Sequence, residues 1–193
     1  MKVVGINGSP RKDGNTALLL KAVFAELNAQ GVETELIQLA GQPLQGCTAC
    51  YACLAQKNAR CAIDDDFFND CFTQMVAAEG IILGSPVYAA GATAQIKALI
   101  DRASMVLAAN KGLFKHKVGA AVVAARRGGA VGAFDTLTHF LHSKDMYLVG
   151  STYWNMGYGR NIGEVTQDDE GIANMKNLGE NMAWLLKKLH GCR

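Results

Sequence analysis

The segment Gly8–Thr16 (GSPRKDGNT) follows directly after a short apolar run, Lys2–Asn7, and leads into a helical pattern. A strand, a glycine-rich turn and a helix in succession favour anion binding, because the backbone approaches a phosphate closely and the helix N-terminus offers free N–H groups. Arg11 adds a charged donor. We therefore predict that this turn binds a phosphate-bearing ligand. The turn has no Gly-Lys-Ser/Thr ending and does not match the dinucleotide fingerprint of spaced glycines.

Short β-like runs alternate with longer helical patterns along the whole chain, so we predict a single α/β domain over residues 1–193. The architecture expected is a three-layer sandwich, in which helices cover both faces of a five-stranded parallel sheet of order 2-1-3-4-5. The predicted strands are Lys2–Asn7, Val32–Leu39, Ile81–Gly84, Val118–Ala125 and Met146–Val149. The predicted helices are Thr16–Gln30, one beginning after Asp66, Ala94–Leu107, Val131–Leu141 and Gly171–Leu189. In that strand order, the loops after strands one and three meet at the switch point where ligands bind.

The composition excludes several classes of partner. A net charge of +2 is too small to favour nucleic acid or an anionic membrane surface. No apolar stretch approaches the ~20 residues of a membrane span, and the N-terminal residues enter the glycine-rich turn too soon for a signal peptide. We therefore expect a cytoplasmic protein. In that reducing compartment its six cysteines are typical of metal binding or catalysis rather than of disulfides.

A cysteine-rich loop over residues 46–62 is the second distinctive feature. Two residues separate Cys47 from Cys50 and Cys50 from Cys53, and seven residues separate Cys53 from Cys61. Zinc sites usually contain two separated Cys-x-x-Cys pairs, whereas this compact spacing is typical of iron–sulfur ligation. We predict that these four cysteines ligate a cluster; the alternative is that the thiols stay empty. Cys71 is expected in the core and Cys192 near the chain end is assigned no role.

A second polar loop, Gly84–Ala89 (GSPVYA), follows the third predicted strand. With Gly8–Thr16 and Lys97–Arg102 (KALIDR), it resembles the flavodoxin-like family of NADPH-dependent FMN reductases over nearly the whole chain. The resemblance implies an FMN cofactor. Its phosphate would be held by Ser9, Arg11, Asn15 and Thr16, and its isoalloxazine ring would lie near Pro86, Val87, Tyr88 and Ala89.

A third loop of that family follows strand four and is glycine-rich, which here corresponds to Arg126, Gly128 and Gly129 with Arg127 beside them. The arginines either stabilise an anionic reduced flavin, attract the phosphate of a pyridine nucleotide, or are solvated loop charges. Asp101 and Arg102 are expected to be structural, as an ion pair or helix cap. The segment Tyr153–Gly159 either covers the flavin, forms a subunit contact or packs ordinarily.

The cysteine loop and the acidic stretch after it resemble the iron–sulfur flavoproteins, a branch of the same family. That resemblance implies a [4Fe-4S] cluster close to FMN across a subunit interface, hence a homodimer or homotetramer, with NAD(P)H or a ferredoxin-like protein as electron donor. We therefore expect an FMN-dependent oxidoreductase in which electrons pass between FMN and the cluster. The alternatives are a cluster-free NAD(P)H-dependent reductase of FMN, quinones or nitro compounds, a non-catalytic FMN electron carrier and a thiol-based sensor.

Overall fold

A computed structural model describes residues 1–191, and Cys192 lies outside the described residues. Within that range the elements in chain order are β1 (Lys2–Asn7), α1 (Asn15–Ala29), β2 (Glu33–Gln38), α2 (Ala52–Gln56), α3 (Phe68–Ala77), β3 (Gly80–Pro86), α4 (Ala94–Ala109), β4 (Val118–Ala125), α5 (Ala130–His142), β5 (Tyr147–Leu148), β6 (Met156–Tyr158), a 3-10 helix (Glu164–Gln167) and α6 (Asp169–His190).

The sheet is parallel and has the order β2-β1-β3-β4-β5, which confirms the predicted topology. A sixth strand, β6, was not predicted. It pairs with β4 at Val123–Ala125, whereas β5 pairs with β4 at Val118–Gly119. The fifth position of the sheet is therefore divided between two short strands, and the chain leaves the sheet between them.

Two hydrophobic clusters separate the three layers. Strand residues alternate between the clusters because successive side chains point to opposite faces. On β4, Ala121 and Val123 belong to the cluster beneath α3, α4 and α5, whereas Val122 and Ala124 belong to the one beneath α1 and α6. All eight residues of β4 are buried, as expected for a strand covered on both faces.

The cysteine-rich loop lies between β2 and α3, at one side of this framework. Within residues 46–62, Cys53 on α2 is the one buried residue. The segment is therefore an outer layer over α4 rather than part of the sheet. No helix among residues 1–191 has the length and apolar character needed to cross a membrane.

Candidate functional site: a phosphate cradle and a thiol cavity

The turn after β1 is held rigidly by its own polar groups. The Ser9 backbone N–H donates to Asn7 Oδ1 at 3.1 Å, and Gln38 Nε2 on the neighbouring strand donates to the Ser9 carbonyl at 2.8 Å. The Arg11 N–H donates to Ser9 Oγ at 3.1 Å. These bonds fix the backbone of the turn before any ligand arrives, so little conformational entropy remains to be lost on binding.

The N-terminus of α1 has unused hydrogen-bonding capacity. Gly14 is the N-cap in an extended conformation, and no side chain among residues 1–191 caps the helix there. Thr16 is 1% exposed, and its Oγ1 is buried without a hydrogen-bond partner in the described chain. Buried polar groups are nearly always paired. An unpaired hydroxyl beside free helix N–H groups therefore fits a phosphate oxygen.

The loops after β1 and β3 form one unit. The Gly8 N–H donates to the Gly84 carbonyl at 2.8 Å, and Thr93 Oγ1 donates to the Gly8 carbonyl at 2.7 Å. Thr93 in turn donates its N–H to Ser85 Oγ at 3.1 Å. The two loops predicted to meet at the switch point therefore do so through direct hydrogen bonds.

Beyond Pro86 the chain forms a tight turn with an unusual backbone. Tyr88 and Gly91 exchange two hydrogen bonds of 2.9 Å, and the two residues between them, Ala89 and Ala90, have φ of 48° and 62°. Such turns usually contain glycine or asparagine, because other side chains are disfavoured at positive φ. Strain of this kind is concentrated at binding sites.

These loops enclose one pocket with an empty volume of about 590 Å³, part of it open to solvent. Eight of the eleven residues predicted to bind the flavin line it together: Ser9, Arg11, Asn15, Thr16, Pro86, Val87, Tyr88 and Arg126. The other three, Ala89, Gly128 and Gly129, are exposed and stand outside the described lining.

Four further lining residues were not in the predicted set: Ala124 and Ala125 at the end of β4, and Gly159 and Arg160. Gly159 ends the segment for which covering the flavin was one of the alternatives. Gly159 and Arg160 directly follow β6, so their position depends on a strand that was not predicted. Asn15 holds them there. Its Nδ2 donates to the carbonyls of Gly159 and Asn161 at 3.0 and 2.9 Å, and its Oδ1 accepts from the Gly163 N–H at 2.9 Å. The Asn15 side chain is thus engaged with the protein itself, and its phosphate contact stays a prediction.

The cysteine loop forms a second cavity, with an empty volume of about 340 Å³ that is partly open to solvent. Cys47, Cys50, Cys53 and Cys61 all line it, together with Arg102. The remaining lining residues are Thr48, Ala49, Tyr51, Ala62, Ile63, Met105 and Val106. No three His, Cys, Asp or Glu side chains among residues 1–191 are arranged to hold a single metal ion. The four thiols therefore share a cavity without converging on one point.

The thiols of Cys50 and Cys53 lie in different environments. A hydrogen bond from the Ala52 backbone lowers the pKa of Cys50, which is exposed. Burial raises the pKa of Cys53, and the neighbouring charge of Cys61 raises it further. The thiolate is the form that binds metal, so Cys50 is the better prepared of the two in this arrangement.

Asn69 on α3 holds the segment around Cys61. Its Oδ1 accepts from the Cys61 N–H at 2.9 Å, and its Nδ2 donates to the Cys61 carbonyl at 3.0 Å and to Asp64 at 2.8 Å. Asn69 itself is 2% exposed. One buried amide therefore fixes both backbone groups of the fourth cysteine.

The other side of the loop rests on a buried ion pair. Arg102 donates from Nη1 to Asp66 Oδ2, and that oxygen also accepts from the Gln45 N–H at 2.9 Å. Asp101 and Arg102 both form ion pairs, as expected, but not with each other: Asp101 pairs with Lys97 on the surface of α4, because residues one turn apart share a helix face. The Asp66 carboxylate also accepts from the Phe68 N–H at 3.1 Å, at the start of α3.

Fold and pocket together define a protein of the flavodoxin-like class, with a ligand pocket at the switch point of its sheet. Solved structures with the same fold include RosB with a bound riboflavin-5'-phosphate derivative (TM-score 0.79, 15% identity, covering 100% of this chain and 81% of that one). A flavodoxin from the domain Archaea aligns with a TM-score of 0.61 at 16% identity, covering 97% of this chain and 99% of that one.

Sequence comparison gives a closer assignment. Residues 1–161 match the family described as NADPH-dependent FMN reductase. An iron–sulfur flavoprotein of Methanocaldococcus jannaschii is 37% identical over 194 residues, covering 97% of this chain and 98% of the relative. One from Archaeoglobus fulgidus is 31% identical over 200 residues, covering 98% and 99%.

The chain therefore belongs to the NADPH-dependent FMN reductase family and is most like its iron–sulfur flavoprotein branch. It is a flavin-dependent oxidoreductase, and FMN is its cofactor. The resemblance on which the sequence interpretation rested is confirmed.

Proposed function

We propose that this protein passes electrons between FMN in the pocket at the N-terminus of α1 and a [4Fe-4S] cluster held by Cys47, Cys50, Cys53 and Cys61. The observation that carries the proposal is that all four thiols line one cavity. When bound, FMN supplies two-electron chemistry and the cluster supplies single-electron steps.

The donor set of the cavity fits a cluster better than a single ion. Soft thiolates select iron–sulfur clusters, zinc and Cu(I). A single tetrahedral zinc needs all its ligands at one point, which the described cysteines do not provide. In a [4Fe-4S] cluster each thiolate binds a different iron, so ligands spread around a cavity match it.

In the flavin pocket, side chains and backbone groups of the protein would bind and orient FMN. The Thr16 hydroxyl, the free N–H groups of α1 and the Arg11 guanidinium would hold the phosphate, and Pro86 to Tyr88 bound the space for the ring. Arg126 and Arg160 line the same pocket and are exposed, so their charge would favour the reduced flavin or bind the phosphate of NAD(P)H.

The proposal includes a homodimer or homotetramer. The two cavities have no lining residue in common among those described, and the exposed apolar side chains Tyr51 on the cysteine loop and Trp154 before β6 offer contact surface. In such an assembly the thiol cavity of one subunit faces the flavin pocket of another. The electron donor in this scheme is NAD(P)H or a ferredoxin-like protein, and the reducing cytoplasm keeps the thiols available.

The test is anaerobic purification with iron, acid-labile sulfide and flavin quantified per chain. We expect about four irons and four sulfides beside one FMN. Cys50→Ser should lower the iron content without lowering the FMN content, whereas Cys71→Ser, outside the cavity, should leave both unchanged. FMN without iron after anaerobic reconstitution would contradict the cluster.

A second candidate is a cluster-free NAD(P)H-dependent reductase of FMN, quinones or nitro compounds. It is supported by the partly open flavin pocket with two arginines at its rim. Steady NADPH oxidation with a quinone acceptor, undiminished when all four cavity cysteines are serine, would favour this function over the first.

A further inference from the structure

Arg102 is an unusual residue for the middle of an outer helix. It lies on α4, is 1% exposed, and is among the largest fully buried side chains of the protein. Its guanidinium carbon lies 4.2 Å from the centre of the Phe68 ring, and the side chain lines the thiol cavity. A charge is buried only where specific partners compensate it.

The guanidinium has five N–H groups, and three of them donate hydrogen bonds within the described chain. Nη1 donates to Asp66 and to the Gln45 carbonyl at 3.3 Å, and Nη2 donates to the Ile63 carbonyl at 2.8 Å. The Nε–H is buried without a partner in the described chain. An unsatisfied buried donor costs free energy, and one on a residue that borders a cavity is a candidate to bind the ligand of that cavity.

The chemistry of the neighbouring groups indicates what that ligand is. The cavity that Arg102 lines contains four thiols, and the lining includes no carboxylate. Thiolates and inorganic sulfides are anionic hydrogen-bond acceptors, and hydrogen bonds to the sulfurs are one of the determinants of a cluster's reduction potential. Asp66 lies outside the lining, so Arg102 is the member of the ion pair that borders the cavity.

From these observations we infer that Arg102 is a potential-tuning residue, donating its Nε–H to a sulfur of the cluster and making the cluster easier to reduce. The inference rests on the proposed function, since it requires the cluster. Reduction adds a negative charge to an already anionic group, so a facing guanidinium stabilises the reduced form more than the oxidised one.

The experiment compares the holoprotein with two variants by anaerobic redox titration, following the cluster by electron paramagnetic resonance and FMN by absorbance. Arg102→Gln combined with Asp66→Asn removes the buried pair without leaving an isolated charge. Arg102→Lys keeps the charge and loses the Nε–H, and serves if the double variant does not fold. Lys97→Gln combined with Asp101→Asn is the matched control, because it removes an exposed ion pair from the same helix.

We expect the double variant to lower the reduced-to-oxidised ratio of the cluster about tenfold at a fixed applied potential, which corresponds to about 59 mV for one electron. In Arg102→Lys the cluster potential should shift in the same direction by a smaller amount. The FMN potential should not change in either variant, and neither potential should change in the control variant. Electron–nuclear double resonance should detect an exchangeable proton coupled to the wild-type cluster that both Arg102 variants lack.

Unchanged cluster potentials in variants with full iron content would overturn the assignment of Arg102 and leave the proposed function standing. Equal shifts of the cluster and FMN potentials would also overturn it, because they would indicate a general structural change. Absence of iron and sulfide from the reconstituted wild-type protein would instead overturn the proposed function and this inference together.

Discussion

Asp66 and Arg102, 36 residues apart in sequence, form an ion pair beneath the cysteine loop with side chains that are 1% and 0% exposed. Burial acts to raise the pKa of Asp66, but hydrogen bonds from Arg102, Gln45 and Phe68 outweigh it and hold the pKa below its usual value. The pair connects α4 to the start of α3 and, through Gln45, to the residue just before the cysteine-rich loop.

This ion pair makes stability depend on pH in a definite direction. A carboxylate with a depressed pKa in the folded state stabilises the protein fully above the unfolded pKa of about 3.9, and the contribution is lost as pH falls through the folded pKa. Asp66→Asn should therefore lower the free energy of unfolding by about 3 kcal/mol near neutrality. The difference from wild type should shrink on acidification below the unfolded pKa.

Chemical denaturation at neutral pH and at acid pH measures this difference. Asp101→Asn, which breaks the exposed pair with Lys97, should cause little change at either pH. An Asp66→Asn effect of the same size at both pH values would contradict the role assigned to the carboxylate.

Thr16→Val should weaken FMN binding without destabilising the apoprotein. The substitution removes the unpartnered Oγ1 and keeps the shape, so one charge-assisted hydrogen bond of about 1.5 kcal/mol is lost, about tenfold in Kd. Titration calorimetry of the apoprotein with FMN measures it. Thr138→Val is the matched control, because Thr138 Oγ1 is also buried without a partner but lies outside the pocket. Equal FMN affinity in the two variants would remove Thr16 from the phosphate site.

Gly8→Ala should disturb the contact between the two flavin loops. A Cβ at this position would lie 2.9 Å from Ile96 Cβ and 3.0 Å from the Gly84 carbonyl oxygen, so backbone must move. We expect a loss of about 1–3 kcal/mol in the free energy of unfolding, together with weaker FMN binding. Gly150→Ala provides the comparison, since no atom of the described chain lies within 4 Å of its added Cβ. A Gly8→Ala protein as stable as this control would argue against the close contact.

Asn69→Ala should release the segment around Cys61. Four groups lose their bond to Asn69, namely the Cys61 N–H, the Cys61 and Ile63 carbonyls and the Asp64 carboxylate, with an expected cost of about 2–3 kcal/mol in the free energy of unfolding. In the cluster-loaded protein that we propose, iron should also be lost faster to a chelator, monitored by absorbance. Asn181→Ala removes two hydrogen bonds on the exposed face of α6 and should leave the iron loss unchanged. Identical rates in the two variants would show that Asn69 does not support the cysteine.

Cys71 should resist alkylation in the native apoprotein. It is fully buried, and burial raises the pKa of its thiol to about 12, so almost no thiolate exists at about pH 8. Treatment with iodoacetamide followed by peptide mass mapping should find Cys47 and Cys50 modified and Cys71 intact. In concentrated guanidinium Cys71 should react. Native labelling of Cys71 at the rate of Cys50 would mean that α3 opens readily.

Features of the fold that depend on local patterns and on strand order could be predicted from the sequence. The apolar run of β4 was predicted with its observed bounds, and the order of the sheet brought Ser9 and Pro86 to one pocket. β6 was missed because three residues with a central glycine carry no periodicity. Arg160 was missed with it, whereas Gly159 belongs to the segment for which covering the flavin was one of the alternatives.

Contacts between residues far apart in the sequence were the second feature that could not be predicted. Nothing in the pattern around Arg102 distinguishes Asp66 from the adjacent Asp101 as its partner, because the choice depends on how α3 and the cysteine loop pack against α4. The hydrogen bonds of Asn15 to residues 159–163 likewise connect positions that are nearly 150 residues apart in the sequence. Such contacts exist only once the tertiary structure has formed.

The placement of the cysteine loop outside the sheet affects how this fold can diversify. Within residues 46–62 one side chain, Cys53, is buried, and none of these residues joins a strand. The loop is therefore a peripheral segment, attached to the rest of the protein at its margins by Asn69 and Arg102. Because it shares no lining residue with the flavin pocket, changes of sequence or length within the loop should leave that pocket intact, so the two cavities can be altered independently.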